Sequence, residues 1–298
     1  MTKLLLDGNI IGVEGARALS RGIKDNETLT NLHLSDCLIM EDGAKELSLS
    51  LENKRNLLVL DLTNNKVMSD GCIAICKSIQ QQSTLRELLL SQNFIGPGGA
   101  KAVSKVLLNK KYITELALSN NGIFAEGAVA LGAALKDKKY LEVFSLKKNE
   151  IGFQGIKTLE DCLSLSKTIK ELNLSGNNIG DEGVEIVITA LQNKKRQSLH
   201  VLSLSNNKIS SKGCKMICDF ISKCHSLEEL QLSNNDIDNE GANELIRVLK
   251  GRSNFSNIDI DNNKISGEAL TGLFNLLPLR NLNLLKNPLE EQQMMPIS

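Results

Sequence analysis

The chain is 298 residues long and carries 35 basic and 35 acidic side chains, for a formal net charge of zero. That balance gives no electrostatic argument for a nucleic-acid partner, and no run of Lys and Arg is long enough to follow a phosphate backbone. No apolar stretch approaches the roughly 18 residues of a membrane-spanning helix, so membrane insertion is not expected.

In chain order, the first element is Leu4-Leu5-Leu6 followed by Asn9, a short strand and a turn. This leucine-and-asparagine phrase then returns to the end of the sequence. Its anchor slot holds Asn9, Cys37, Asn65, Asn93, Asn121, Asn149, Asn177, Asn207, Asn235, Asn263 and Asn287. The spacing is 28 residues at first, widens to 30 after Asn177, and shortens to 24 after Asn263. The widening places two extra residues within 192–198, and the shortening predicts a curtailed last helix ending near Pro278. Eleven strand units result, in one register, so residues 1–298 are expected to form a single repeat domain. The first strand has no separate polar cap before it. This predicts either a fragment or an open edge, through which the chain could self-associate. Pro288 and the short polar stretch after it read as a stop.

Every unit reads alike. In Leu116-Ala117-Leu118 the two leucines alternate with an outward residue, as a strand requires. The asparagine turns the chain, and its amide can satisfy main-chain groups that no sheet neighbour reaches. Cys37 offers only weaker hydrogen bonds at that slot. An apolar plug follows at Ile95, Ile123, Ile151, Ile179, Ile209, Ile237 and Ile265. A glycine comes next, from Gly15 and Gly43 through Gly241, and predicts a tight turn or a close backbone approach. One glycine per unit is not a phosphate-cradling loop. Ala128, Leu131 and Leu135 show the helical spacing that follows. Lys110-Lys111, the helix end at Lys136-Asp137-Lys138-Lys139, and Lys194-Lys195-Arg196 read as solvated turns. The expected fold is an α/β solenoid: a curved horseshoe with parallel strands on the concave side and helices on the convex side.

The seven cysteines include Cys72 and Cys214, in the small helix slot that Ala16, Ala44, Ala100 and Ala128 fill elsewhere. This predicts reduced, buried thiols and a cytoplasmic protein. A host-delivered effector or a ciliary location stays open beside it. Cys214, Cys218, Cys224 and His225 match no strong zinc spacing, and no metal or cofactor is expected.

The outward strand positions are the candidate binding surface: Leu5, His33, Asp61, Leu89 and Ala117 in the more apolar half, then Ser145 to Asn283. Glu87, Glu115, Glu171 and Glu229 form a neighbouring acidic column suited to a basic patch on a protein partner. Phe94, Phe124 and Phe153, in three consecutive units, are candidate rim anchors, although packing inside the loops competes with that reading. Tyr112 and Tyr140 read as turn packing. His33 has Asp61 one unit away and His200 has Ser203 nearby, yet neither pair completes a nucleophile, base and acid, so no catalytic site is expected.

The phrase Leu172-Asn173-Leu174-Ser175-Gly176-Asn177-Asn178-Ile179-Gly180 and its period resemble the ribonuclease-inhibitor-like class of leucine-rich repeat proteins over essentially the whole chain. That class includes cytosolic ribonuclease inhibitors, the GTPase-activating protein for Ran, repeat domains of NACHT-type immune receptors, and ciliary and bacterial-effector relatives. The resemblance implies a non-catalytic protein-protein interaction scaffold or adaptor, with a regulator that activates a small GTPase as the alternative. The chain departs from ribonuclease inhibitors in being neutral and lacking Trp. It departs from the Ran-activating family in its last residues, 289–298, which are not strongly acidic, and no residue matches that family's catalytic loop.

Overall fold

A computed structural model describes residues 1–192, 198–276 and 279–288. Most of the insertion within 192–198, the turn at Lys194-Lys195-Arg196, the helix end near Pro278 and the residues from 289 onward lie outside the described residues.

Eleven three-residue strands form one parallel sheet in sequence order. They are β1 (Lys3–Leu5), β2 (Asn31–His33), β3 (Val59–Asp61), β4 (Glu87–Leu89), β5 (Glu115–Ala117) and β6 (Val143–Ser145). Then come β7 (Glu171–Asn173), β8 (Val201–Ser203), β9 (Glu229–Gln231), β10 (Asn257–Asp259) and β11 (Asn281–Asn283). The helices between them are α1 (Gly12–Ile23), α2 (Met40–Leu51), α3 (Met68–Ile79), α4 (Gly96–Leu108), α5 (Phe124–Leu135) and α6 (Gly152–Thr158). They continue with α7 (Glu160–Leu165), α8 (Gly180–Gln192), α9 (Ser211–Ile221), α10 (Asn239–Leu249) and α11 (Gly267–Phe274). A helical layer is wider than a strand layer, about 10 Å against 4.8 Å per element, so the stack curves into a horseshoe with the sheet inside.

Leu32, Leu60, Leu88, Leu116 and Leu172 share one register column and are buried. The residues on either side of that column face outward. The core is therefore one continuous layer between sheet and helices, which no single unit could build alone.

The asparagine slot works as a ladder. Asn121 Oδ1 accepts the N–H groups of Asn93 (2.9 Å) and Ile95 (3.4 Å) in the preceding unit. Its Nδ2 donates to the carbonyls of Leu90, Leu118 and Ser119. The two N–H groups lie at the turn, where strand pairing has ended, and would otherwise be buried unpaired. The carbonyls each take a second donor: Leu90 O from Asn93 Nδ2, Leu118 O from Asn149 Nδ2 and Ser119 O from the Gln92 N–H. At the second unit Cys37 Sγ donates to Leu6 O (3.1 Å) and Ser35 O (3.3 Å), but Ile11 N–H must turn to main-chain oxygens instead.

The repeating glycine is explained by close packing alone. None of Gly43, Gly127 and Gly155 has a positive φ. A Cβ at Gly127 would lie 2.5 Å from Ile123 Cγ2 and 2.9 Å from Ala100 Cβ of the neighbouring helix. The glycine and the small residue beside it set how tightly successive helices approach.

Two expectations need correction. The sixth unit has two helices, not one: α6 stops at Thr158 and Leu159 makes an i→i−3 bond to Ile156 (3.0 Å) before α7 begins. The Thr158 carbonyl at this break faces Gly132, where a side chain would collide with it. The lysines of the helix-to-strand turns are also not all solvated. Lys54 and Lys110 are fully buried and Lys138 nearly so. Lys54 Nζ donates to Lys24 O (2.8 Å), Lys138 Nζ to Leu107 O (2.6 Å), and Lys110 Nζ to Ile79 O, Gln80 O and Gln82 O. The last carbonyls of a helix have no partner within it and carry partial negative charge, so an ammonium from the next unit satisfies them.

Candidate functional site

The register brings Glu87 and Glu115 side by side on β4 and β5, with Val143 between Glu115 and Glu171. Burial lifts the Glu115 carboxyl above its ordinary value, and the negative charges of Glu87, Glu171 and Asp61 lift it further. These four carboxylates therefore act as one acidic field. Glu229 lies across Val201 from Glu171, four strands from Glu115, and accepts a hydrogen bond from Asn257 Nδ2 at 2.6 Å.

In the parallel column Leu5, His33, Asp61 and Leu89 follow one another across β1 to β4. Leu5 is well exposed and Leu89 half-buried. His33 Nδ1 lies 3.8 Å from Asp61 Oδ2, and Asp61 Oδ1 accepts the Thr63 N–H at 2.9 Å.

Beside this surface runs a rim formed by the strand-to-helix loops. Its geometry is set by the ladder: the N–H groups of Met40, Met68, Gly96, Phe124 and Gly152 each donate at 2.9 Å to the asparagine carbonyl of the next unit. To reach it, the chain adopts left-handed backbone at the first and third residues after the anchor slot. Leu38 (φ 52°), Met40 (63°), Met68 (58°), Phe94 (55°) and Phe124 (53°) all sit there. This conformation costs a residue with a Cβ roughly 1–2 kcal/mol, and glycine far less. Gly96 and Gly122 occupy such positions in the same stretch. The large apolar side chains are nonetheless held out toward solvent: Phe94 is 61% exposed, Phe124 46%, and Leu38, Met40 and Met68 41% each. Ile10, in the first unit, is 87% exposed.

Of the three phenylalanines singled out from the sequence, Phe94 and Phe124 are thus exposed on the rim, while Phe153 is half-buried in the first turn of α6. They occupy three different loop positions. Ile10, Leu38, Met40 and Met68 belong to the same rim and escape an aromatic search. Comparing the two loop slots across units would have found them. On the opposite rim Tyr112 and Tyr140 stack on each other at 5.6 Å between ring centroids, each about half exposed, with the Arg86 guanidinium 5.9 Å from the Tyr112 ring.

The later units are different. The equivalent slots hold Glu150, Asn178, Lys208, Asp236 and Lys264. The concave side there forms a polar hollow of about 380 Å³ lined by Lys147, Lys148, Ser175, Asn206, Gln231 and Asp259. All seven cysteines are buried, and Cys214 Sγ donates to Gly241 O at 3.5 Å. Its hydrogen bond with Cys218, then burial, push the Cys214 thiol well above its ordinary range, which suits core packing. No described helix is long and apolar enough to cross a membrane.

Six segments, residues 53–76, 81–104, 109–132, 165–185, 195–218 and 223–245, match the family model described as Leucine Rich repeat. The chain is built of leucine-rich repeats. Among solved structures, leiomodin-1 actin-binding site 2 is similar at 18% identity with a TM-score of 0.41, over 51% of this chain and 87% of that one. A likeness of that size carries no argument about these repeats. No curated protein matches the chain. Asp61, Glu87 and Glu115 lie on the same early units as the apolar rim, and Glu171 lies on the seventh.

Proposed function

We propose that this chain is a non-catalytic interaction scaffold of the ribonuclease-inhibitor-like type, and that its early units bind a basic partner segment bearing apolar anchors. The observation that supports this most is the row of Leu38, Met40, Met68, Phe94 and Phe124, held exposed on left-handed backbone. Exposed apolar side chains gain nothing from water, and here they also carry a conformational cost, so burial against a partner is what makes them favourable. Glu87, Glu115, Glu171 and Asp61 supply the complementary charge; their mutual repulsion, which adds to burial in raising Glu115, is relieved by a Lys or Arg of the partner.

Selection of peptides from a random display library on the intact chain tests this. The expected consensus alternates Lys or Arg with Leu, Phe or Met, and its binding weakens as salt rises. Glu87→Lys combined with Glu115→Lys should abolish it, as should Phe94→Ser combined with Phe124→Ser, whereas Glu229→Lys should retain it. An acidic consensus, or binding indifferent to both double variants, overturns the reading. A regulator of a small GTPase would use the same acidic surface. Faster GTP hydrolysis by a purified small GTPase, lost in the same charge variant, is the result that would move the assignment there.

A further inference from the structure

We infer that Asp7, His33 and Asp61 form a binding site for a divalent transition-metal ion, with zinc the best match. The three residues come from three consecutive units. Leu5, His33 and Asp61 are register partners on β1, β2 and β3. Asp7, two residues beyond Leu5, points to the same face of the sheet. One ligand atom from each of the three lies within 4.8 Å of the other two.

The contacts within this group are those of ligands waiting for an ion more than those of a salt bridge. His33 Nδ1 and Asp61 Oδ2 are 3.8 Å apart, too far for a hydrogen bond. Two ligands on tetrahedral zinc, each bonded at about 2.1 Å, are separated by about 3.4 Å, so a small rotation of either side chain brings them to that spacing. Both carboxylates are also oriented from behind. Asp7 Oδ1 accepts the Ser35 N–H at 2.8 Å, and Asp61 Oδ1 accepts the Thr63 N–H at 2.9 Å. Each is thereby fixed through one oxygen, with the other left to coordinate, which is the support that outer-sphere hydrogen bonds give to metal ligands. No described residue hydrogen-bonds to the His33 ring.

The donor set selects the ion class. One imidazole nitrogen with two carboxylate oxygens suits zinc and its neighbours, whereas calcium takes six to eight oxygens and magnesium keeps most of its water. All three ligands approach from the sheet, so the solvent side keeps a fourth position for water or for a carboxylate or imidazole of a partner. The site lies at the start of the concave face and shares Asp61 with the acidic field, but its three ligands all come from this chain and need no bound peptide.

Titration of the intact chain with zinc chloride in a calorimeter tests the assignment without a partner. Wild type should saturate at one ion per chain. His33→Gln, Asp61→Asn and Asp7→Asn should each weaken binding by about tenfold or more. Asp7 is exposed and His33 and Asp61 half-buried, and unchanged circular dichroism will show that the variants fold. Glu229→Gln, outside the site, should bind as wild type does. Cobalt substitution should give visible d–d bands without thiolate-to-cobalt charge transfer, and His33→Gln should remove them. No binding by wild type overturns the inference. So does affinity that survives all three variants, or a charge-transfer band that assigns the ion to the cysteines.

Discussion

The first five units and the five that follow share a strand register and an asparagine ladder and differ in what their loops show to solvent. Asn121 and Asn207 make the same set of bonds, each accepting two N–H groups from the preceding unit and donating to three carbonyls. The loops after them share a left-handed first residue, Gly122 and Lys208, but part at the third, where Phe124 is left-handed and Ser210 is extended and caps α9. On the later rim the polar side chains satisfy one another sideways: Lys264 pairs with Asp236 at 2.6 Å, and Asn262 donates to Asn234 at 2.8 Å. On the early rim Met68, Phe94 and Phe124 have no such option, because an apolar group can be satisfied only by burial. The framework is thus specified in the ladder and core, and the proposed recognition surface in side chains the framework does not need. That separation lets one solenoid present two chemically different halves.

The largest effect should come from the shared part. Asn121→Ala leaves two buried N–H groups without a partner and takes one of two donors from each of three carbonyls, and should cost roughly 3–5 kcal/mol in urea unfolding. Asn207→Ala should cost the same within about 1 kcal/mol if both halves rest on one framework. A much smaller loss at Asn207 would show that the later units are held by something else. Asn9→Ala should cost less than about 1 kcal/mol, because the Asn9 amide is exposed and donates only to Leu6 O and Asp7 O.

The next effect separates the halves. Phe94 and Lys208 both hold left-handed backbone, at φ 55° and 59°. Glycine at either position should raise stability by up to about 1 kcal/mol, the relief of backbone strain exceeding the added freedom of the unfolded chain. Only Phe94→Gly should weaken binding of the selected basic peptides. A variant that is more stable yet binds less would identify the strain at Phe94 as serving recognition. Equal loss of binding in Lys208→Gly would extend the surface to the later units and erase the contrast.

The fold was legible because each unit repeats the same few physical requirements, and the repetition exposes them. Leucines alternate, an asparagine ends each strand, and a small residue lets helices approach. The ladder followed from the hydrogen-bonding capacity of an amide, and Cys37 stood out as its weak rung for the same reason. Features that depend on one side chain meeting another unit were hidden. Lys110 looks like a solvated turn residue until the helix end of the preceding unit is seen to need a donor. Met40, Met68 and Phe124 occupy backbone that glycine usually marks, so their loop geometry leaves no compositional sign. Asp7, His33 and Asp61 are scattered over three units, and only the exact strand register makes them neighbours. The break at Leu159 falls inside a stretch with ordinary helical spacing.

The smallest expected effect tests the acidic field itself. Folding raises the proton affinity of Glu115, through burial first and then through Glu87, Glu171 and Asp61. The folded chain therefore holds this proton more tightly than the unfolded chain does. The stabilisation is present below the ordinary carboxylate value and is lost as pH rises through the higher folded value. Glu115→Gln removes that dependence, so it should be slightly more stable than wild type at neutral pH, with the advantage vanishing in acid. Thermal unfolding across the acid range measures this. Glu229→Gln, altering a carboxylate already held by Asn257, should show no gain. A basic peptide bound over the field opposes the shift, because its cation favours ionised Glu115. Binding should then release protons and strengthen as pH rises through the same window, and Glu115→Gln should flatten that slope. A slope that persists in the variant would place the titrating group elsewhere and detach Glu115 from the surface that reads the partner.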